Sequence, residues 1–239
     1  YPCCYLVNAH TQKIYEGQGE IQEIFNKVKA WLKNPIQHQA QSLSRRYYVI
    51  ENFFFSNKYS LDFNGLIPCS QLKVKSEFSQ KNATAYQAYG SHYFKSLLGH
   101  AISMEKKPEY FIDVGCGKGK QCIYAQKYFN FHTIIGIDFS KELIDIANQN
   151  LSNLNYTNIN FIIADAIEWK LPDEYCFIFL YNPFNEVILE KFILHNINHF
   201  KKHGSIVCYA NDMYRKILTN SGFEIIYRDH ECNSIYKLN

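Results

Sequence analysis

The chain has 239 residues, 47% of them hydrophobic and 16% aromatic, which is enough for one sizeable core or a core with a smaller attachment. A formal net charge of +3 is too mild to indicate a nucleic-acid partner. No apolar run reaches the roughly 18 residues that a membrane-spanning helix needs.

Tyr1 rather than Met opens the chain, so native residues are expected ahead of it. The first stretch, "YPCCYLV", is too short and lacks the basic flank of a signal peptide. The eight cysteines, Cys3, Cys4, Cys69, Cys116, Cys122, Cys176, Cys208 and Cys232, form no C-x-x-C pair and no framework spacing. Several fall in apolar runs, the pattern of buried free thiols in a reducing cytosol, and the expected location is cytoplasmic. Residues 1–109 hold 13 Lys and Arg against 8 Asp and Glu, whereas residues 110–239 hold 12 against 14. The basic excess leaves room for an acidic partner surface without demanding one.

"IQEIFNKVKAWL" (21–32) has helical periodicity and is bounded by Pro35. "RRYYVIENFFF" and "YSLDFNGLIP" are rich in aromatic and β-branched residues and read as strands or extended segments. "ATAYQAYGSHYFKSLLGHAIS" (83–103) predicts a helix over much of its length, leading straight into the next segment. Residues 1–109 thus read as an N-terminal cap or substrate-recognition region.

From residue 110 the pattern is regular. "YFIDVG", "HTIIGIDF", "INFIIAD", "YCFIFLYNPF" and "GSIVCYA" are short, near-continuous apolar strands. Between them lie helical segments: "KQCIYAQKYF", "SKELIDIANQNL" with Ser140 as its N-cap, and the amphipathic "EVILEKFILHNINHF". "DMYRKILTNSG", "FEIIYRD" and "SIYKLN" close the chain, the last two separated only by "HECN". Alternating strands and helices predict an α/β, doubly wound, mainly parallel seven-stranded sheet in residues 110–239. The short final connection predicts an antiparallel hairpin at its end.

In such a sheet, ligands bind beyond the carboxyl ends of the strands. "DVGCGKG" places Gly115, Gly117 and Gly119 there, where missing Cβ atoms permit close approach to the backbone. Alone, that loop suits a dinucleotide, a flavin or an adenosyl group. Lys120 stands where the dinucleotide pattern wants its third glycine. Asp113 ahead of the loop would repel a pyrophosphate and accept a hydrogen bond from an ammonium group. Asp138, ending the second strand, is placed for ribose hydroxyls, a feature shared with NAD enzymes. Asp165 and Ala166, ending the third, offer a carboxylate and a backbone N–H to an adenine edge.

The order "DVGCGKG", "GIDFS", "ADA", "LYNPF" resembles class I S-adenosylmethionine-dependent methyltransferases over about the last 130 residues. The resemblance implies that Gly115, Gly117 and Gly119 line the methionine part of S-adenosylmethionine and that Asp113 helps hold its amino group. Asp138 would bind the ribose, Asp165 and Ala166 the adenine, with Phe139 packed on the adenine face. "LYNPF" is similar to the Asn/Asp-Pro-Pro-aromatic loop of amino-methylating members, where the side-chain oxygen and a backbone carbonyl hold the target amine and the ring stacks on the substrate. By that likeness Asn182, Pro183 and Phe184 form the acceptor site, although the second proline is missing. The alternative reading makes Asn182 the N-cap of the following helix. "FFFSNKYSLDFNGLIP" and the Tyr-led segment after it resemble bacterial methyltransferases of undefined substrate that carry Tyr-x-x-Asp-x-x-Gly, here Tyr59, Asp62 and Gly65. The order of cap, loop and Asn-x-Phe is also similar to Rossmann-fold histone lysine methyltransferases, which favours an amine acceptor, on a protein or a small molecule. Tyr86, Tyr89 and Tyr93 either close over the cofactor or are ordinary core aromatics. His195, His199 and His203 recur every four residues, but no further ligand follows at metal-site spacing, and no metal is expected. Two other readings stay open: an NAD(P)-binding oxidoreductase, and a non-catalytic adenosyl-binding module.

Overall fold

The computed structural model describes residues 35–72 and 77–238. The expected helix at 21–32 lies outside them. The chain divides into two units between Glu51 and Asn52, and every candidate site residue belongs to the second.

The first described element is helix α1, Pro35–Lys58. The extended conformation expected for "RRYYVIENFFF" is therefore wrong: the segment is helical, and its strand-favouring composition is a weak prior that the backbone overrides. Pro35 opens this helix, a position where its missing N–H costs nothing. Two short strands, β1 (Leu66–Ile67) and β2 (Tyr86–Gln87), pair antiparallel, with helix α2 (Glu77–Asn82) between them. Helix α3 covers Ser91–Met104. The helix expected over 83–103 thus occupies only its second half, and residues 83–90 run extended.

The core follows as β3 (Tyr110–Val114), α4 (Lys120–Phe129), β4 (Thr133–Asp138), α5 (Lys141–Ser152), β5 (Ile159–Ile163) and β6 (Cys176–Tyr181). Then come α6 (Glu186–His195), α7 (Ile197–His203), β7 (Ile206–Ala210), α8 (Arg215–Asn220), β8 (Phe223–Arg228) and β9 (Ser234–Leu238). Among the described residues these strands make one seven-stranded sheet, ordered β5-β4-β3-β6-β7-β9-β8. The first five are parallel, while β9 runs antiparallel to both β7 and β8. This is the doubly wound sheet with a terminal hairpin that the sequence predicts.

Strand periodicity sorts the core into two layers. Phe111, Phe177, Phe179, Cys208 and Ile235 pack on the α3, α4 and α5 side, with Phe94, Leu98, Ile123 and Ile144. Ile112, Ile178, Leu180, Val207 and Tyr236 pack on the other side, with Ile188, Phe192, Phe200 and Leu218 from α6, α7 and α8. Burial on both faces explains why the strands read as unbroken apolar runs.

The helix expected over "EVILEKFILHNINHF" is interrupted at Asn196. Its buried amide accepts from the Leu171 N–H at 2.9 Å and donates to the Trp169 carbonyl at 3.1 Å. Tying down the loop before β6 diverts this residue from continuing the helix. Ser140 is the N-cap expected of α5, its hydroxyl accepting from Leu143 N–H.

Candidate functional site

The loop from Gly115 to Gly119 joins β3 to α4 at the carboxyl end of the sheet. The N–H groups of Gly115 and Cys116 both donate to the Ile137 carbonyl at 2.9 Å, pinning the loop to the end of β4. Gly115, Gly117 and Gly119 have φ of +80°, +54° and +77°, conformations that side chains disfavour. Space is equally decisive at all three, a Cβ on Gly119 lying 2.4 Å from the Phe161 ring. A Cβ on Gly115 would lie 2.3 Å from Pro183 Cβ, and one on Gly117 would lie 2.4 Å from the Tyr86 ring.

Two acids flank the loop. Asp138 is 6% exposed. Its Oδ2 accepts from the Gly117 N–H and its Oδ1 from the Ser140 N–H, both at 2.9 Å. Burial pushes this carboxyl up to about 6 despite those donors. Asp113, 2% exposed, is engaged by α4: the Cys122 thiol donates to its Oδ2 at 3.7 Å. Burial pushes Asp113 up to about 8, so at neutral pH it is mostly uncharged. The negative charge that disfavours a pyrophosphate therefore falls mainly to Asp138. After β5, Asp165 accepts from the Ile167 N–H through Oδ1 at 3.1 Å, and from the Ser79 hydroxyl through Oδ2. Ala166 follows it, and Phe139, half-buried, follows Asp138.

Asn182 adopts φ +41° at the end of β6. The helix cap is Asn185, whose Oδ1 accepts from the N–H groups of Val187 and Ile188, so the capping alternative for Asn182 does not hold. The Asn182 amide instead accepts from the Tyr209 hydroxyl at 3.3 Å and points its Nδ2 at Met213 Sδ, 3.2 Å away. Pro183 packs on Gly115, which sets this loop directly against the glycine loop. Phe184 is buried in the layer formed with α6. The carbonyls of Asn182 and Pro183 accept from the Thr84 hydroxyl at 2.7 Å and the Thr84 N–H at 3.0 Å.

The residues singled out in the N-terminal region acquire physical roles. Tyr59 packs on Phe55, ring centroids 5.2 Å apart, and Gly65 turns the chain at φ +103°. Asp62, between them, accepts from Lys118 Nζ through Oδ1 and Oδ2 at 2.9 and 2.8 Å, and from the Asn64 N–H through Oδ1 at 3.2 Å. Lys118 also donates to the Asn64 carbonyl at 2.6 Å, and Asn150 bridges the Asp62 and Lys118 carbonyls with its Nδ2. Tyr86 lies over Gly117, its hydroxyl bonded to the Phe63 carbonyl at 2.9 Å. Tyr89 is a core aromatic, 4.5 Å from the Tyr181 ring centroid, with its hydroxyl on Asn233 Oδ1 at 2.6 Å. Its carbonyl accepts from Lys120 and Gln121 at the start of α4. Tyr93 reaches Glu231 at 3.5 Å.

Lys118, Ser79, Thr84 and Tyr209 were not legible as site residues. They act through contacts 27 to 98 positions away in sequence, and only Lys118, inside the glycine loop, carried a local signal. His199 and His203 lie side by side, ring centroids 5.0 Å apart. His199 bonds Ser205 Oγ at 2.9 Å and His203 bonds Asp173 at 2.8 Å, both against β6 and β7 at their amino ends. Among the described residues no cluster of three His, Cys, Asp or Glu side chains is arranged to hold a metal ion.

The glycine loop, Asp138, Asp165 and Asn-Pro-Phe stand at or just beyond the ends of β3, β4, β5 and β6, on a sheet with an antiparallel β9. That combination defines a class I, S-adenosylmethionine-dependent methyltransferase domain, and the comparisons agree. A family model described as "Methyltransferase domain" matches residues 105–233, and the chain belongs to that family. Its methyl donor is S-adenosylmethionine, and the comparisons give the nicotinamide alternative no support. The tRNA (uracil(54)-C(5))-methyltransferase of Schizosaccharomyces pombe (strain 972) is 29% identical over 90 residues, 37% of this chain and 17% of that one. The tRNA (guanine-N(7)-)-methyltransferase of Pediococcus pentosaceus is 38% identical over 64 residues, 27% of this chain and 30% of that one. Ajmaline N-methyltransferase of Rauvolfia serpentina is 35% identical over 71 residues, 29% of this chain and 24% of that one. The chain thus spans under a third of the length of these curated relatives. Among solved structures, magnesium protoporphyrin IX methyltransferase from Synechocystis PCC 6803 is 17% identical, with a TM-score of 0.47 over 81% of this chain and 95% of that one.

The residues present fit S-adenosylmethionine. The loop's three glycines carry no side chain to bar a ligand from the backbone, Asp138 offers carboxylate oxygens to a diol, and the loop carries no cation aimed at a phosphate: Lys118 is turned to Asp62 and Lys120 to Tyr89.

Proposed function

We propose that this chain methylates an amine nitrogen. S-adenosylmethionine, when bound, supplies an electrophilic methyl group on a sulfonium. The observation that carries the proposal is the packing of Pro183 on Gly115, which brings the segment that carries the acceptors Asn182 Oδ1, held by Tyr209, and the Pro183 carbonyl, held by the Thr84 N–H, up to the methyl-donor loop. Acceptors suit a nucleophile that has N–H groups to donate. Burial pushes the Tyr209 phenol far above its usual range, so it stays a proton donor and holds Asn182 Oδ1 in place. Orientation and exclusion of water supply the rate; a neutral amine needs no strong base to attack.

In the same reading, Gly115, Gly117 and Gly119 line the methionine part, and Asp113 supports the amino-group end from beneath the loop. Asp138 binds the ribose, Phe139 packs on the adenine face, and Asp165 with Ala166 reads the adenine edge. Phe184, buried here, braces the loop. A groove of about 250 Å³ adjoins Asn182 through Met213 and is lined by Glu186, Tyr214, Arg215, Lys216 and Ile217. The six described cysteines are free thiols, which supports a reducing, cytoplasmic setting. Within the second unit, residues 52–109 serve as the cap that selects the acceptor.

Calorimetric titration with S-adenosylmethionine, S-adenosylhomocysteine and NAD, with Asp138→Ala as control, tests the cofactor site. A panel of amine and hydroxyl acceptors followed by mass spectrometry tests the acceptor. Methylation confined to hydroxyls would overturn the nitrogen reading and leave the cofactor site standing.

A further inference from the structure

Residues 61–72 and 77–90 lay a strap across the site, and its contacts fall on the groups that the ligands need. Ser79 holds the Asp165 carboxylate, the group placed for adenine. The Tyr86 ring fills the open side of Gly117, where a ligand would have to approach the backbone. Thr84 takes the carbonyls of Asn182 and Pro183, and Ala83 forms an antiparallel bridge with Phe184. Cys69 lies near enough to Asp138 for that carboxylate, after burial, to help raise its thiol to about 11. The strap is fastened at one further point. Lys118, 5% exposed, meets three acceptors on Asp62 and Asn64, so the ammonium is fully paired only while the strap is down.

We propose that this strap is an autoinhibitory gate, latched by the Asp62–Lys118 ion pair, which must lift off Gly117 and Asp165 before S-adenosylmethionine can bind. Ring and ligand cannot share the face of Gly117, so closed strap and bound cofactor exclude each other. Cofactor binding then shifts the population toward the open form, and the apparent dissociation constant is the intrinsic one divided by the open fraction. The Tyr-x-x-Asp-x-x-Gly segment thereby has a function: its aspartate is the latch and its glycine the turn that presents it. The proposal rests on the adenosyl-cofactor reading of the loop.

Amide hydrogen exchange with and without S-adenosylhomocysteine separates the two. The gate predicts that added ligand protects amides in 115–123 while amides in 82–87, including the Thr84 N–H held by Pro183, lose protection. It also predicts that Asp62→Ala and Ser79→Ala each bind S-adenosylhomocysteine at least threefold faster than the parent. In the absence of ligand, Cys69 should be alkylated severalfold faster in these variants, measured peptide by peptide. Protection gained at both 115–123 and 82–87 would overturn the gate, because the strap would then close on the ligand rather than yield to it. Slower binding by both variants would overturn it as well. No change at 115–123 in parent or variants would remove the cofactor reading and the gate with it.

Discussion

The Tyr209 hydroxyl, on β7, donates to Oδ1 of Asn182, at the end of the neighbouring strand β6. Because Nδ2 is turned toward Met213, the amide presents its oxygen from a fixed rotamer at a left-handed backbone position. A pre-set acceptor of this kind is worth most when the nucleophile arrives carrying N–H groups.

That arrangement makes Tyr209→Phe and Asn182→Ala informative. Losing one neutral hydrogen bond costs about 1 kcal/mol, so Tyr209→Phe should lower kcat about 5- to 10-fold. Asn182→Ala removes the acceptor itself and should lower kcat by roughly 100-fold or more. Neither should move the dissociation constant of S-adenosylhomocysteine by calorimetry. A matching loss of cofactor affinity would place Asn182 in the cofactor site instead.

Asp138 accepts from two backbone N–H groups and is proposed to take the ribose hydroxyls, roles that need the carboxylate. Burial raises it to about 6. S-adenosylhomocysteine affinity should therefore fall as pH drops through about 6, by at most about tenfold per unit. Asp138→Asn should bind weakly at every pH, with a flat profile between pH 5 and 7.

Asp113 gives stability the opposite dependence on pH from a salt-bridged acid. Its folded value of about 8 lies above the ordinary carboxylate value of 3.8, so folding takes up a proton between them. Its contribution is complete below pH 3.8 and is lost as pH rises through about 8. Between pH 6 and 8 the unfolding free energy should decline with a slope of up to about 1.4 kcal/mol per unit. In Asp113→Asn, which mimics the protonated acid, urea denaturation should show that decline flattened. An unchanged slope would assign the titration elsewhere.

Asp212, 1% exposed, joins the end of β7 to the hairpin. Its carboxylate accepts from Arg228 Nε and Nη2 at 3.0 Å, Ser234 Oγ at 2.6 Å and the Tyr236 hydroxyl at 2.9 Å. Asp212→Ala strands the buried Ser234 and Tyr236 hydroxyls, while the exposed Arg228 returns to water, and should cost about 2–3 kcal/mol in denaturant unfolding. Arg228→Met should cost more, about 3–5 kcal/mol, because it leaves the buried carboxylate without its counter-charge.

The doubly wound sheet was legible because a strand buried on both faces must be apolar throughout, and five such runs alternate with helical segments. The terminal hairpin followed from connection length: four residues cannot cross a sheet. The glycine loop and the acids at 113, 138 and 165 were legible for a related reason, since a close backbone approach demands glycine locally and the strand ends bring those positions together. Other features were not local. Nothing in "RRYYVIENFFF" distinguishes helix from strand, and nothing in "NPFN" tells which asparagine caps α6; the Asn185 contacts with Val187, Ile188 and Asn82 decide that.

By itself, then, the sequence determined the fold class and the place of the glycine loop between β3 and α4, because both depend on periodicity and on residues a few positions apart. Only the tertiary structure decided that burial raises Asp113 well above the ordinary carboxylate range, that Tyr209 holds Asn182 Oδ1, and that Lys118 pairs with Asp62. Charge state, side-chain orientation and occlusion depend on burial and on partners far away along the chain, which no local pattern encodes.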